Sequence, residues 1–510
     1  MTMPRSMTRY AALAAALATV LLTLGACSIS DLVNKSELPP DTRDPSAVQT
    51  PDGAVGAYNA AVLSLTTTFA ARAASDETST PGSNPSASVV YAVGLMTDEL
   101  SWVIDIGSVD NGLPNTSTAT VSSRTAPEND FSAAARTRAL FYRELYLWLQ
   151  TIRSRARNAS GALAKYAPDK PKALRGHLYA MEGYADVMMA EIFCSGIPLS
   201  VLNFEGAYDY SPGLSTDSVY KAAIVRLDSA IVLAADSARI VNFAKLVRAR
   251  ALLNMGDFAR AAQGLGDVPT NFQYLASYAA LRPNIFYSGV GTNYPWGGNV
   301  ADSIGINGLK YPGDPRSDTV PSYGSAAAAG LRRIPKKFLP AGTVSTPVTI
   351  GGVPFPNYIN TGTVSVPVES GIAARLIEAE VALKQGSATW LTILNELRTT
   401  CATTAGCATP APAGSGGYAG LPPLSDPGTP EGRLSLLFNE RAHWLYLTGH
   451  RQGDMRRLVR LYERRADQVY PIGPWGPMGM TPYGSDVNLP LPVEEQELNP
   501  LYHGCLDRDA

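Results

Sequence analysis

The segment from Asn439 to Leu458, NERAHWLYLTGHRQGDMRRL, confines the fold more tightly than any other part of the chain. Charged and large apolar side chains recur through it at helical spacing around Gly449. Glu440, Trp444, Leu447, Arg451 and Leu458 stand at i, i+4, i+7, i+11 and i+18, a spacing that gathers side chains on one helix face. Such a face is half apolar core and half ion pair. His443 and His450 fall about two turns apart on the same predicted helix, where packing or ion pairing is the ordinary role.

The beginning of the chain addresses the protein to a membrane. Arg5 and Arg9 precede an uncharged run from Ala11 to Gly25 that ends in Leu24-Gly25-Ala26-Cys27. That order of basic, apolar and small residues is a secretion leader, and the run is well short of the ~20 residues a spanning helix needs. The small residue directly before Cys27 resembles a lipobox, so Cys27 is expected to be acylated. One acyl chain, at about 0.8 kcal/mol per buried CH2, holds weakly, whereas several hold firmly. The expected division is a leader over 1–26, a lipidated polar tether over 27–51 and a domain over 52–510. With 45% apolar residues, that length supports a large core.

The net charge is −2 for the full chain and two units lower once Arg5 and Arg9 leave with the leader, which argues against a nucleic-acid partner. Two local basic runs, at Arg153, Arg155 and Arg157 and at Arg456, Arg457, Arg460, Arg464 and Arg465, sit in helical patterns and are expected on solvated faces.

Acylation of Cys27 leaves Cys194, Cys401, Cys407 and Cys505 in an oxidising compartment, with three formal pairings. Cys401 and Cys407 bracket five residues, ATTAG, in a stretch able to bend, and are expected to pair. Closing so short a loop contributes ~2.4 kcal/mol on the chain-entropy model. Cys194 with Cys505 is then the remainder. The spacing of Cys401 and Cys407 is too wide for a tight zinc motif and lacks a nearby His pair.

Helical patterns run over Asp52 to Ala74, Asp130 to Asn158, Pro171 to Phe193, Ser218 to Ala235 and Val241 to Leu265, with Asp52 and Asp130 placed as N-caps. Within ARALLNMGDFARAA, Ala249 to Ala262, one helix ends at Gly256 and another starts at Asp257, an arrangement that resembles a tetratricopeptide repeat. Glu378 to Leu397 carries a second copy, with Ala379 and Gly386 aligned to Ala249 and Gly256. The helical scaffold is thus expected over about 52–280 and 371–400. The remainder, about 281–370 and 401–510, forms a subdomain rich in loops, since Gly, Pro, Ser, Thr and Asn dominate much of it and the helical period fades. Inside it Thr343 to Ile350 and Thr363 to Val368 alternate β-branched residues and suit a small hairpin-like patch.

Five motifs together resemble the SusD/RagB family. Its near-terminal signature is matched by Glu440-Arg441, the apolar turn Trp444 to Leu447, Gly449-His450-Arg451 and Asp454-Met455-Arg456-Arg457. Its closing run is matched by Asn488 to Pro500, NLPLPVEEQELNP, and its helix end by Leu394-Asn395-Glu396-Leu397-Arg398. Gly313-Asp314-Pro315-Arg316 and Gly196-Ile197-Pro198-Leu199 resemble two of its loop elements. The resemblance implies a mostly α, SusD-like helical fold with tetratricopeptide-type helix pairs and a loop-rich subdomain. It also implies a lipid-anchored outer-membrane protein at the cell surface that hands an oligosaccharide or peptide to a SusC-like TonB-dependent outer-membrane transporter.

Ligand contacts are sought among loop aromatics, because sugar CH faces pack on flat rings while amides take hydroxyls. Tyr287, Tyr294, Trp296 and Tyr323 in the long insertion, with Trp102 and Asn111 in an earlier irregular stretch, are the candidates. Trp444 and Trp148, on helices, are expected in the core. The chain lacks a Gly-x-Ser-x-Gly elbow, a His-Glu-x-x-His helix, a phosphate-cradling loop and a Cys-x-x-Cys pair. Asp98 and Glu99, being adjacent, would point apart and suit paired acid–base work poorly. The reading is a non-catalytic receptor without cofactor or metal. A repeat scaffold for protein partners and a lipoprotein hydrolase are the competing classes.

Overall fold

A computed structural model of the chain describes residues 49–70, 88–101, 124–125, 133–202, 208–280, 282–286, 299–300, 308–322, 332–340, 342–350, 352–400, 421–475 and 481–509. Helix α1 (Pro51–Ala70) starts under Thr50, whose Oγ1 accepts the Gly53 N–H at 3.0 Å. Asp52, expected as the cap, instead lies in the first turn, where its charge suits the helix dipole; Asp130 is outside the described residues. Helix α2 (Val89–Met96) is capped by Ser88 and leads into strand β1 (Leu100–Ser101). Helices α3 (Ala133–Tyr166) and α4 (Lys172–Ile192) follow.

Helix α4 is the axis of the molecule: every residue from Ala180 to Ile192 is buried. It is followed by the short strands β2 (Ile197–Pro198), β3 (Val201–Leu202), β4 (Tyr208–Asp209) and β5 (Gly213–Leu214), and by α5 (Thr216–Leu233). A Cβ on Gly183 would sit 2.6 Å from Leu227 Cγ of α5. The missing side chain therefore lets two helices approach more closely than alanine would permit. Helix α6 (Ala238–Asn254) ends at Gly256, with φ +79°, and Asp257 caps the single turn α7 (Phe258–Ala261) by accepting the Arg260 N–H.

Strands among the described residues pair only in twos. After β1 to β5 come β6 (Gln273–Ala276), β7 (Asn299–Val300), β8 (Thr319–Ser322), β9 (Arg332–Pro335), β10 (Val348–Ile350), β11 (Val353–Phe355), β12 (Val366–Ser370), β13 (Pro474–Trp475) and β14 (Thr481–Pro482). The two β-branched segments do not form one patch. β10 makes its own hairpin with β11, whereas β12 crosses to β6, Val366 facing Ala276. Val366 and Val368 are fully buried, so burial rather than proximity in sequence selects the partner strand. Helix α8 (Gly371–Lys384) turns at Gly386, φ +71°, into α9 (Thr389–Thr400). Helices α10 (Pro430–Trp444), α11 (Arg451–Arg460) and α12 (Val493–Leu498) complete the described helices.

The signature segment is not one helix. α10 stops at Trp444, and Leu447 and Gly449 take φ of +52° and +75° before α11 begins. His443 therefore ends one helix and His450 stands at the start of the next. The break is tolerated because the freed Leu447 N–H donates to Glu99 Oε1 at 2.8 Å.

Solvated faces are also wrong for three of the eight arginines in the basic runs. Arg153, Arg456 and Arg457 are at most 5% exposed, and Arg153 pairs with Asp186 at 2.6 Å. Arg155, Arg460 and Arg465 do face solvent. Trp444 is buried, while Trp148 is only half-buried.

The closing run folds back on the end of α4. Leu489 exchanges backbone hydrogen bonds with Ile192 and Cys194, each 2.8 Å, and Ser195 does so with Leu506 and Asp507. A disulfide joins Cys194 to Cys505 across 311 positions. Cys401 and Cys407 lie outside the described residues, as does Cys27.

Candidate functional site

The α10–α11 junction, the α2–β1 turn and the turn Tyr311–Gly313 with Lys336–Phe338 meet in a buried, charged layer. Glu440 on α10 is its first hub: its carboxylate accepts from Arg316 Nη1 and Arg398 Nη1, both at 2.6 Å, and from Trp444 Nε1 at 3.2 Å. Arg316 also grips Asp314 through two side-chain bonds of 2.7 and 2.8 Å and lies 5.0 Å from the Trp444 ring. Burial would raise Asp314, but its bonds to Arg316 outweigh that and hold it down at about 2. His443 Nδ1 sits 3.0 Å from Ser317 Oγ, and burial drops its pKa to about 4, so the ring is neutral at physiological pH.

Asp98 and Glu99 answer to different partners, as adjacent residues on an extended turn must. Asp98 takes a bidentate pair from Arg451 at 2.8 and 2.7 Å and the Tyr311 hydroxyl at 3.1 Å. Glu99 is 1% exposed, and burial pushes its pKa up to about 8. Lys337, 6% exposed, is lowered by burial to about 7 and donates to the Tyr446 carbonyl. The Tyr311 and Tyr446 rings stack 4.4 Å apart above this pair. Deeper in, Arg441 and Arg457 share Asp454, Arg457 also grips Glu380, and Arg250 joins Glu191 to Glu369, which meets His450 Nε2 at 3.2 Å. Burial alone would raise Asp454; Arg441 and Arg457 outweigh it and hold its pKa far below the carboxylate range.

This layer is the floor from which the loops spring. β1 pairs antiparallel with β7, Ser101 facing Asn299. β7 packs beside β9, and β9 pairs with β8 so that Ser322 faces Arg332. Trp102 directly follows Ser101, Trp296 precedes Asn299 by three residues, and Tyr323 directly follows Ser322. The strands thus bring together the roots of three segments that carry candidate aromatics. Trp102, Asn111, Tyr287, Tyr294, Trp296 and Tyr323 themselves lie outside the described residues.

The spacing argument found Glu440 and Arg451 but missed their partners, Asp98, Arg316 and Arg398, which are distant in sequence. A signal was present for Asp98 and Glu99, because two acids set between Met96 and Leu100 in an apolar run need burial partners. Chemically the layer is a scaffold: its carboxylates are engaged by guanidinium, hydroxyl or backbone N–H groups. Among the described residues no cluster of His, Cys, Asp or Glu is arranged to hold a metal, and no helix is long and apolar enough to cross a membrane.

Neither a scan against protein-family models nor a search of curated proteins finds a match. Solved structures do match. A SusD homolog from Bacteroides thetaiotaomicron aligns with a TM-score of 0.56 at 12% identity, covering 92% of this chain and 99% of its own. A surface glycan-binding protein A from Bacteroides uniformis aligns at 0.53 and 14% identity, covering 89% and 99%. A laminarin-binding SusD-like protein aligns at 0.51 and 14% identity, covering 90% and 99%. At such identities the likeness concerns the path of the chain, and nearly the whole of each neighbour takes part. The chain has the mostly helical SusD-like fold.

Proposed function

We propose that this protein is a non-catalytic, lipid-anchored receptor at the outer-membrane surface. It takes a glycan among the loops above the ion-paired floor and delivers it to a SusC-like TonB-dependent transporter. The observation that carries the reading is the SusD-like fold over about nine-tenths of the chain, in which one neighbour is a laminarin-binding protein and another a surface glycan-binding protein. The pairing of β1 with β7 adds support, since it roots the segments of Trp102 and Trp296 side by side. A rigid floor suits binding, because ordering costs fall when the site is held in advance.

Two measurements test the reading. In affinity electrophoresis against a panel of polysaccharides, Trp102→Ala and Trp296→Ala should each weaken retention about tenfold, ~1.4 kcal/mol, with the fold intact by circular dichroism. Mild-detergent purification from outer membranes should bring down a TonB-dependent transporter in stoichiometric amount. Recovery without a transporter, in membranes that express one, together with no retained glycan, would sink the receptor and favour the repeat-scaffold reading.

A further inference from the structure

We propose that a second site lies on the helical half, in a cleft of about 260 Å³ between α3, α4 and α5, and that it binds an oxyanion group: phosphate, sulfate or carboxylate. The cleft is lined by facing stripes at helical spacing, among them Arg157 and Ser160 of α3, Arg175, Tyr179 and Glu182 of α4, and Arg226 of α5. It stands on different residues from the receptor reading and does not depend on it.

The charges do not balance. Glu182 is 2% exposed at its side chain and accepts from both Arg157 Nη2, at 2.5 Å, and Arg226 Nε, at 3.3 Å. A single arginine would compensate a single buried carboxylate; the second is surplus. Arg175 is a further surplus, since among the described residues no carboxylate lies within 4 Å of it and its Nε reaches only Ser160 Oγ, at 3.5 Å. Asp186, one turn beyond Glu182, does not offset them, because Arg153 already pairs with it at 2.6 Å and both are 2% exposed. Three guanidiniums against one carboxylate leave two excess positive charges in one small cleft of a chain whose net charge is −2.

Like charges held together destabilise a fold unless a counter-charge joins them. The guanidinium fork matches phosphate, sulfate and carboxylate oxygens bidentately. The arginines are placed to receive one. Arg157 and Arg226 keep 27% and 34% of their side chains exposed while tethered to Glu182, so each retains donors toward solvent from a fixed position. Arg226 lies 5.9 Å from the Tyr179 ring, which makes one wall flat and aromatic. The volume is below that of pockets for drug-sized ligands and suits one charged substituent or one small acidic ring.

The test is calorimetric titration of the folded domain at low ionic strength with sodium phosphate, sodium sulfate and sodium glucuronate, against sodium chloride of matched ionic strength. At least one of the three should bind where chloride does not. Arg175→Gln and Arg226→Gln should each weaken that binding at least tenfold, while Arg155→Gln, an exposed arginine of the same helix outside the cleft, should leave it unchanged. If one cleft variant unfolds by circular dichroism, the other decides. Phosphate and sulfate without glucuronate would mark a phosphorylated or sulfated group, and glucuronate as well would mark an acidic sugar; either supports the site. No binding beyond chloride for any of the three, or equal binding by both cleft variants, overturns it.

Discussion

At the scale of single residues, the chain spends its charge inside. Glu440 holds two buried arginines, and Glu440→Gln would leave Arg398 without its carboxylate; breaking such a pair costs about 3 kcal/mol or more. Urea unfolding of that variant should show the loss, and an unchanged midpoint would mean that Arg398 is satisfied by the Pro422 carbonyl alone. Glu99 behaves oppositely. Its folded pKa of about 8 is above the ordinary 4.5, so its contribution favours the fold below about 4.5 and fades as pH rises through 8. Between pH 5 and 6, below the range where Lys337, lowered to about 7, loses its proton, native melting temperature should fall relative to that of Glu99→Gln. A constant difference would show that Glu99 is already ionised. Sequence spacing exposed the charged half of this layer that sits on α10 and α11. It could not supply the other half, because Asp98, Arg316 and Arg398 are brought in by three unrelated elements.

Elements were legible at several ends marked by glycine, whereas α2, capped by Ser88, was not read as a helix. Gly256 and Gly386 stop α6 and α8 where the pattern says they should, because positive φ is costly for other residues. The break between α10 and α11 was illegible for a matching reason. Leu447 takes the left-handed conformation without being glycine, and the apolar period happens to stay in phase across the gap. Basic stripes on α3 and α11 misled because Arg153 meets Asp186 on α4 and Arg457 meets Glu380 on α8, both out of reach of a local pattern, although Arg457 also pairs with Asp454 of its own helix. Close approach gives an element-scale prediction. A Cβ on Gly371, the first residue of α8, would come 1.9 Å from the Pro269 carbonyl oxygen and 2.7 Å from the Thr270 backbone. Gly371→Ala should therefore cost about 3 kcal/mol through forced backbone shifts, read as a lower urea midpoint. A neutral result would mean that the segment before β6 yields freely.

For the molecule as a whole, fold class and the order of the long helices α1, α3, α4, α5 and α6 were readable from one dimension, since amphipathic period is local, whereas α2, α12 and the division of α10 from α11 were not. The ligand surface was not, because it depends on which loop roots the short strands bring together, and β1 finds β7 across about 200 residues. The Cys194–Cys505 bond, left as a remainder by counting, ties the end of the buried axis helix to the closing run. On the chain-entropy model a loop of 311 residues gives roughly 5–6 kcal/mol, so Cys505→Ser should lower the thermal midpoint by several degrees. Equal midpoints for the variant and the native chain under oxidising conditions would show that backbone bonds around Ser195 suffice. That bond also sets an order of manufacture. Cys194 must wait while 310 further residues are made before its partner arrives. A chain stalled anywhere in between remains unclasped, so the closing step doubles as a check that synthesis has run past Cys505.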